Sequence, residues 1–231
     1  MSLVSYQHDE SVATITMDDG KVNALSPAMQ AEIGSALDQA EGDGAVVVLA
    51  GREGMFSAGF DLDVIRAGGP DAIGMIRGGF ELAERVLSFP RPVVMACTGH
   101  AVAMGVFLLL SGDYRIGAAG SYKLVANEVA IGMQLPHTAI EVLRQRLTPA
   151  AFNRAVTLSE VFSPANAVET GFLDRVSDSP DVVGAAQEVA ASFAGLDQAA
   201  HASSKLRARA GTLAAIRADI DRNFTQSTPP G

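Results

Sequence analysis

The chain has 231 residues, 48% hydrophobic and 19% charged, enough to bury one sizeable core and too apolar to be disordered as a whole. Lys and Arg number 17 against 26 Asp and Glu, a formal charge of −9. With no basic run, this balance argues against a nucleic-acid partner, and an anionic ligand would have to be held by a few local cations or by backbone amides.

The start, "MSLVSYQHDE", carries no apolar signal core. Alternation over 3–17 predicts a hairpin with "HDE" as its turn. "DDGKVNALSP" reads as a loop, closed by Ser26 and Pro27 as N-cap and first helical residue. Met29, Ile33, Ala36 and Leu37 then recur at helical spacing. "AVVVLAG" (45–51) and "PVVMACTG" (92–99) are predicted buried strands, with a helix over 71–89 between them that ends before Pro90. Cys97, the single cysteine, can form no intramolecular disulfide, which points to a reducing cytoplasm. The run 101–110 is too short to span a bilayer and is expected as a buried helix or strand. "DYRIGAA" is expected as a third strand. Strand and helix alternate, an α/β pattern, and no GxGxxG nucleotide fingerprint follows the first strand. From 134 onward the chain reads as helical ("LPHTAIEVLRQRL", "TPAAFNRAVTL", "SPANAVETG"), with one short strand in "FLDRVSD". Two terminal helices, 179–196 and 198–224, and a frayed tail "TQSTPPG" complete it.

Three stretches carry candidate chemistry. In "FSAGFDL" (56–62), small residues follow a buried strand, so a ligand could approach backbone amides; a plain turn with Asp61 capping the next helix is the alternative. In "GHAVAMGVFLLLSGDYR" (99–115), small residues precede an apolar helix whose first-turn amides could hold an oxyanion; close helix packing is the alternative. In "NEVAIGMQLP" (127–136), Glu128 lies among Val125, Ala126, Val129, Ala130 and Ile131, where a carboxylate is paired, caps a turn, or has a raised pKa and serves as acid or base.

With "KVNAL" before them, these stretches in this order resemble the crotonase superfamily, the enoyl-CoA hydratases and isomerases, from the first hairpin to about residue 177 and more weakly beyond. The resemblance implies a spiral of β-β-α units with a helical C-terminal region, divided here as a core over 1–195 and a trimerisation segment and tail over 196–231. It implies an acyl-CoA thioester ligand, no separate cofactor, and assembly as a homotrimer or dimer of trimers. By position it puts the oxyanion-hole amides on Ala58 and Met104, where the family usually has glycine in place of Met104. Lys21, Ala24, Ser57, Gly59, Phe60, Asp61, Leu62 and Phe107 fall at substrate-binding positions. Lys205 could reach CoA phosphates from a neighbouring subunit, the alternative being an exposed helical lysine. The family's hydratases carry one Glu at the position of Phe107 and another at that of Glu128. Only Glu128 is present here, which favours moving a double bond with one base over adding water with two. Hydration by Glu128 alone and acyl-CoA binding without turnover are the competing functions. His100 and His137 are secondary acid–base candidates, His137 being more simply a capping residue. Asp61 and Asp113 read as structural. No cluster has metal-ligand spacing.

Overall fold

Alternating apolar residues build the first hairpin of the structure, a computed structural model that describes residues 2–178 and 180–224. Strand β1 (Val4–Asp9) pairs antiparallel with β2 (Val12–Met17). The chain turns at Glu10–Ser11, where Glu10 takes a φ of 50°. The turn is thus later than "HDE" suggested, and His8 and Asp9 belong to the strand. From β2 the sheet grows in parallel through β3 (Val46–Ala50), β5 (Val93–Cys97), β7 (Tyr114–Gly117) and β9 (Arg175–Val176), in the order β1-β2-β3-β5-β7-β9. Every residue of β3 and β5 is buried, as expected of central parallel strands covered on both faces. On one face lies helix α8 (Val182–Ala194), whose Val182, Ala186 and Ala190 recur every fourth residue and pack on Val46, Val48, Val94 and Ile116. The main core fills the other face.

A second, smaller sheet was not foreseen from the sequence. Its strands β4 (Gly54–Ser57), β6 (Gly99–Val102) and β8 (Leu124–Val125) each follow a strand of the large sheet within a few residues, and they pair in parallel in that order. Helical segments follow each: α2 (Leu62–Ala67) and α3 (Gly69–Ser88) after β4, α4 (Met104–Ser111) after β6, and α5 (His137–Arg144) after β8. The result is the spiral of β-β-α units. Between β2 and β3 runs α1 (Pro27–Gly42); Ser26 Oγ accepts from Met29 N at 3.2 Å, and Met29, Ile33, Ala36, Leu37 and Ala40 are buried. All eight residues of α4 are buried, which explains a sequence with no polar face.

Helices α6 (Pro149–Leu158) and α7 (Pro164–Thr170) match the predicted helical segments. The stretch 198–224, expected as one helix, breaks at Arg209 into α9 (Gln198–Ala208) and α10 (Ala210–Asn223). Arg209 is pinned at the break by Leu87 O at 2.8 Å and Asp113 at 2.9 Å, which ties the joint to the body of the chain. The predicted tail "TQSTPPG" lies outside the described residues. Among the described residues, no helix is long and apolar enough to cross a membrane.

Helix α10 joins the main core through Leu213, Ile216 and Ile220. Its buried Asp219 accepts from Thr138 N at 2.8 Å and Thr138 Oγ1 at 2.7 Å, in the first turn of α5, where unpaired amides favour a carboxylate. Burial alone would raise the Asp219 pKa, but these bonds and one from Asn223 hold it below the usual range. Asp219→Ala should therefore lower the unfolding free energy at pH 7 by about 2–3 kcal/mol, read by urea denaturation. Because the folded pKa is depressed, the contribution is complete above the unfolded pKa of about 3.9 and is lost as pH falls through the folded one, so wild type and variant should converge in acid.

Candidate active site

The three short strands of the small sheet end at one level. Ser57 of β4 registers with Ala101 of β6, and Val102 of β6 with Val125 of β8. Ala103 N donates to Val125 O at 2.9 Å, extending the pairing one residue further. The segments 58–60, 103–104 and 126–128 therefore leave the small sheet at one end. All three predicted stretches meet there.

The amides at this end divide into engaged and free. Asn23 (φ 50°) is fully buried; its Nδ2 donates to Met17 O and Phe56 O, and its Oδ1 accepts from Asp19 N. The Asp19 carboxylate accepts from the amides of Lys21, Asn23 and Ala24. The loop so fixed lies along 57–59, with Ala24 bridged to Gly59 in parallel and Leu25 N donating to Gly59 O at 2.7 Å. As a result Ala58 N donates to Val22 O at 2.9 Å, and the expectation that Ala58 supplies an oxyanion-hole amide is corrected. Gly59 N goes to Ser57 Oγ at 3.2 Å. The first amide past this pairing belongs to Phe60, and it has no acceptor among the described residues. Met104 N, at the first position of α4 where an amide has no partner within its helix, also has no acceptor among the described residues. The Phe60 and Met104 N–H groups, one from each segment, are two of the amides left without such an acceptor at this end and the pair nearest the Gly59 contact.

Gly59 holds the two segments together. Its φ is +90°, and a Cβ there would lie 2.9 Å from Val102 O and 3.1 Å from Met104 N. The backbone of 59 thus touches the backbone that presents Met104. Ala103 is strained as well, with φ 50° and ψ −126°, a non-glycine residue in a region that costs of order 1–3 kcal/mol.

Glu128 follows β8 and precedes a single 3-10 turn, Val129–Ile131. It is 8% exposed, and its Oε2 has no hydrogen-bond partner among the described residues; the same holds for the neighbouring Asn127 Oδ1. Burial pushes the Glu128 pKa up, opposed only by its own backbone amide. Among the described residues the carboxylate neither caps the turn that follows nor forms an ion pair. Phe107, 2% exposed, lies on α4 with its ring stacked on Phe80 at 6.3 Å, and Phe80 in turn meets Phe60 at 6.3 Å and Phe224 at 5.8 Å. The four rings form one continuous aromatic cluster.

Beside this end opens a cleft of about 510 Å³ lined by Lys21, Ala24, Ala58, Phe60, Asp61 and Leu62, with Arg66 as a second cation that the sequence reading passed over. Asp61 also caps α2, accepting from Asp63 N and Val64 N. Two predicted binding residues are elsewhere engaged. Ser57 is fully buried and its hydroxyl donates to Asn23 O at 2.7 Å, so it builds the loop and does not face the cleft. Lys205 is 7% exposed and pairs with Asp113 at 2.7 Å, which corrects both the CoA-phosphate and the exposed-lysine readings. His100 Nδ1 accepts from Lys123 N at 3.0 Å, and His137 is exposed at the start of α5. Among the described residues, no group of three His, Cys, Asp or Glu side chains could hold a metal ion.

Comparison with known proteins agrees with this geometry. The pattern of the family "Enoyl-CoA hydratase/isomerase" matches residues 7–228. Two structures of one Mycobacterium tuberculosis protein, described as an apo enoyl-CoA isomerase and as a probable enoyl-CoA hydratase, are each 52% identical, with TM-scores of 0.91 and 0.92; each match covers 95% of this chain, and 96% and 93% of the other. The human mitochondrial delta3-delta2-enoyl-CoA isomerase is 26% identical with a TM-score of 0.87, over 97% of this chain and 92% of its own. A probable enoyl-CoA hydratase of Bacillus subtilis is 30% identical over 84% of this chain and 77% of its own.

Gly59→Ala is expected to impair the site and the fold together. The new Cβ meets two backbone atoms in a left-handed conformation, so stability should fall by about 2 kcal/mol or more in chemical denaturation, and activity should fall further in the fraction that remains folded.

Proposed function

The chain belongs to the enoyl-CoA hydratase/isomerase family, and within it we propose that the protein converts 3-enoyl-CoA to 2-enoyl-CoA with Glu128 as its single acid–base group. It is an enzyme acting on acyl-CoA thioesters. The observation that carries the reaction type is one buried, unpaired carboxylate at the sheet end that presents two free amides, with Phe107 where a second acid would be needed.

The thioester oxygen sits between Phe60 N–H and Met104 N–H. Glu128 takes a proton from C2; the electron pair delocalises through C3=C4 to the oxygen as a dienolate, stabilised by both amides and the N-terminal end of α4. Protonated Glu128 returns the proton to C4, and the double bond closes between C2 and C3. A raised pKa suits a group that must both accept and return a proton. Addition of water would require a second group to hold the nucleophile, and the Phe80–Phe107 stack is apolar. The CoA portion lies along the adjoining cleft, where Lys21 and Arg66 offset the overall charge of −9 toward its phosphates. The exposed apolar residues Val129, Ile131, Met133, Leu158 and Val161 sit on the outer side of the Glu128 turn, joined by Ala130 N to Ser159 Oγ at 3.1 Å. That face supports assembly as a homotrimer or dimer of trimers. The single cysteine supports a cytoplasmic enzyme.

Purified protein should isomerise 3-enoyl-CoA and hydrate 2-enoyl-CoA slowly or not at all; fast hydration would overturn the single-base reaction. Glu128→Gln should lower kcat for isomerisation by about 10³-fold, and retained turnover would remove Glu128 as the base. In wild type, kcat/KM should rise with pH through a limb above the ordinary glutamate range, since the base works deprotonated and its pKa is raised. The same shift destabilises the fold at neutral pH: stability is complete below the unfolded pKa and declines as pH climbs toward the folded one. Glu128→Gln should therefore have a higher Tm than wild type at pH 7, measured by calorimetry. Ile131→Asp should shift the protein to a smaller species in light scattering.

A further inference from the structure

Beneath the N-terminal ends of β5 and β7, away from the cleft, the fold buries a second set of charges. Asp113, just before β7, accepts from Lys205 Nζ at 2.7 Å, from Val93 N at 2.8 Å, and from Arg209 Nη2 at 2.9 Å. Arg115, in β7, pairs with Asp174 at 2.8 Å. Arg146, after α5, donates to Gly112 O at 2.5 Å and Asp113 O at 3.2 Å and has no carboxylate of its own. Four cations (Arg115, Arg146, Lys205, Arg209) act on one another here and share two carboxylates, Asp113 and Asp174. The excess is two positive charges.

The donors are also incompletely used. The Arg115 side chain is 3% exposed, yet its Nε and Nη1 are buried without a partner among the described residues, and so is Arg146 Nε. His201 Nε2, on α9 and within electrostatic reach of Asp113, Lys205 and Arg209, is another buried unpaired atom. Burial and like-charge repulsion pull Arg146 down to about 10 and Lys205 down to about 8, as expected where cations outnumber anions. Uncompensated charge in a protein interior is expensive, and guanidinium N–H groups without acceptors add to that cost. Acceptor capacity and negative charge are missing at the same place, and one small anion supplies both.

We propose that this cluster is a structural anion site, holding a small monovalent inorganic anion of the chloride type between Arg115 and Arg146 and fastening the segment after α5 to β7 of the large sheet.

The test uses chloride and bromide on the intact protein. At constant ionic strength, replacing gluconate by chloride should raise the Tm saturably, by about 3 °C at tenfold saturation. Arg146→Met should abolish the chloride-specific part. Crystals grown in bromide should show an anomalous peak between the two guanidinium groups. Equal stabilisation by both salts, the same chloride dependence in Arg146→Met, or bromide peaks confined to the exterior would each overturn the site. If Arg146→Met fails to fold, the bromide map of wild type decides.

Discussion

Parallel pairing of β4, β6 and β8 forces the chain to leave the small sheet three times on the same side, and the proposed chemistry rests on that. The proposed amides of the first and second exits and the proposed carboxylate of the third lie on segments that leave one end of three short, hydrogen-bonded strands, one of them only two residues long. Gly59 lets the first two exits touch, and Asn23 with Asp19 fixes which amides remain available. The large sheet and the helices around it serve mainly to keep those short strands in register.

The site holds interactions that a fold optimised for stability would avoid. At Glu128 a carboxylate oxygen, Oε2, is buried without a partner among the described residues, and a non-glycine backbone sits in a strained region at Ala103. Both lie within a few residues of the proposed reacting atoms. Strain and unpaired charge persist where the surrounding structure over-determines them, here through the fully buried α4 and the pairing of Ala103 with Val125. Burial at Glu128 raises its pKa, which suits the proposed role as a base.

Much of this was legible in the amino-acid order. Strands β3 and β5 announce themselves as uninterrupted Val-rich runs, and α1 through its Ser-Pro start and the spacing of Met29 to Leu37. Glu128 stood out as a carboxylate among apolar neighbours. The small sheet was not legible, because strands of four, four and two residues are too short for alternation to register. The same blindness led to Ala58 in place of Phe60: which amide is free depends on the pairing of 22–25 with 57–59, a contact between segments more than thirty residues apart. The left-handed glycine was the available clue, since the residue after it is turned out of the pairing. Lys205 misled for a related reason. A lysine amid the polar residues of "SSKLRARA" gives no hint that Asp113, distant in sequence, draws it inside.

The spiral also orders events in time. Each element of the site closes one turn of the spiral, so a nascent chain acquires the Phe60 turn first, the Met104 amide some forty residues later, and Glu128 only with the third turn. A ribosome-bound fragment that stops short of β8 would have the proposed amide pair and lack the proposed base. Synthesis thus delivers the proposed proton-moving group last.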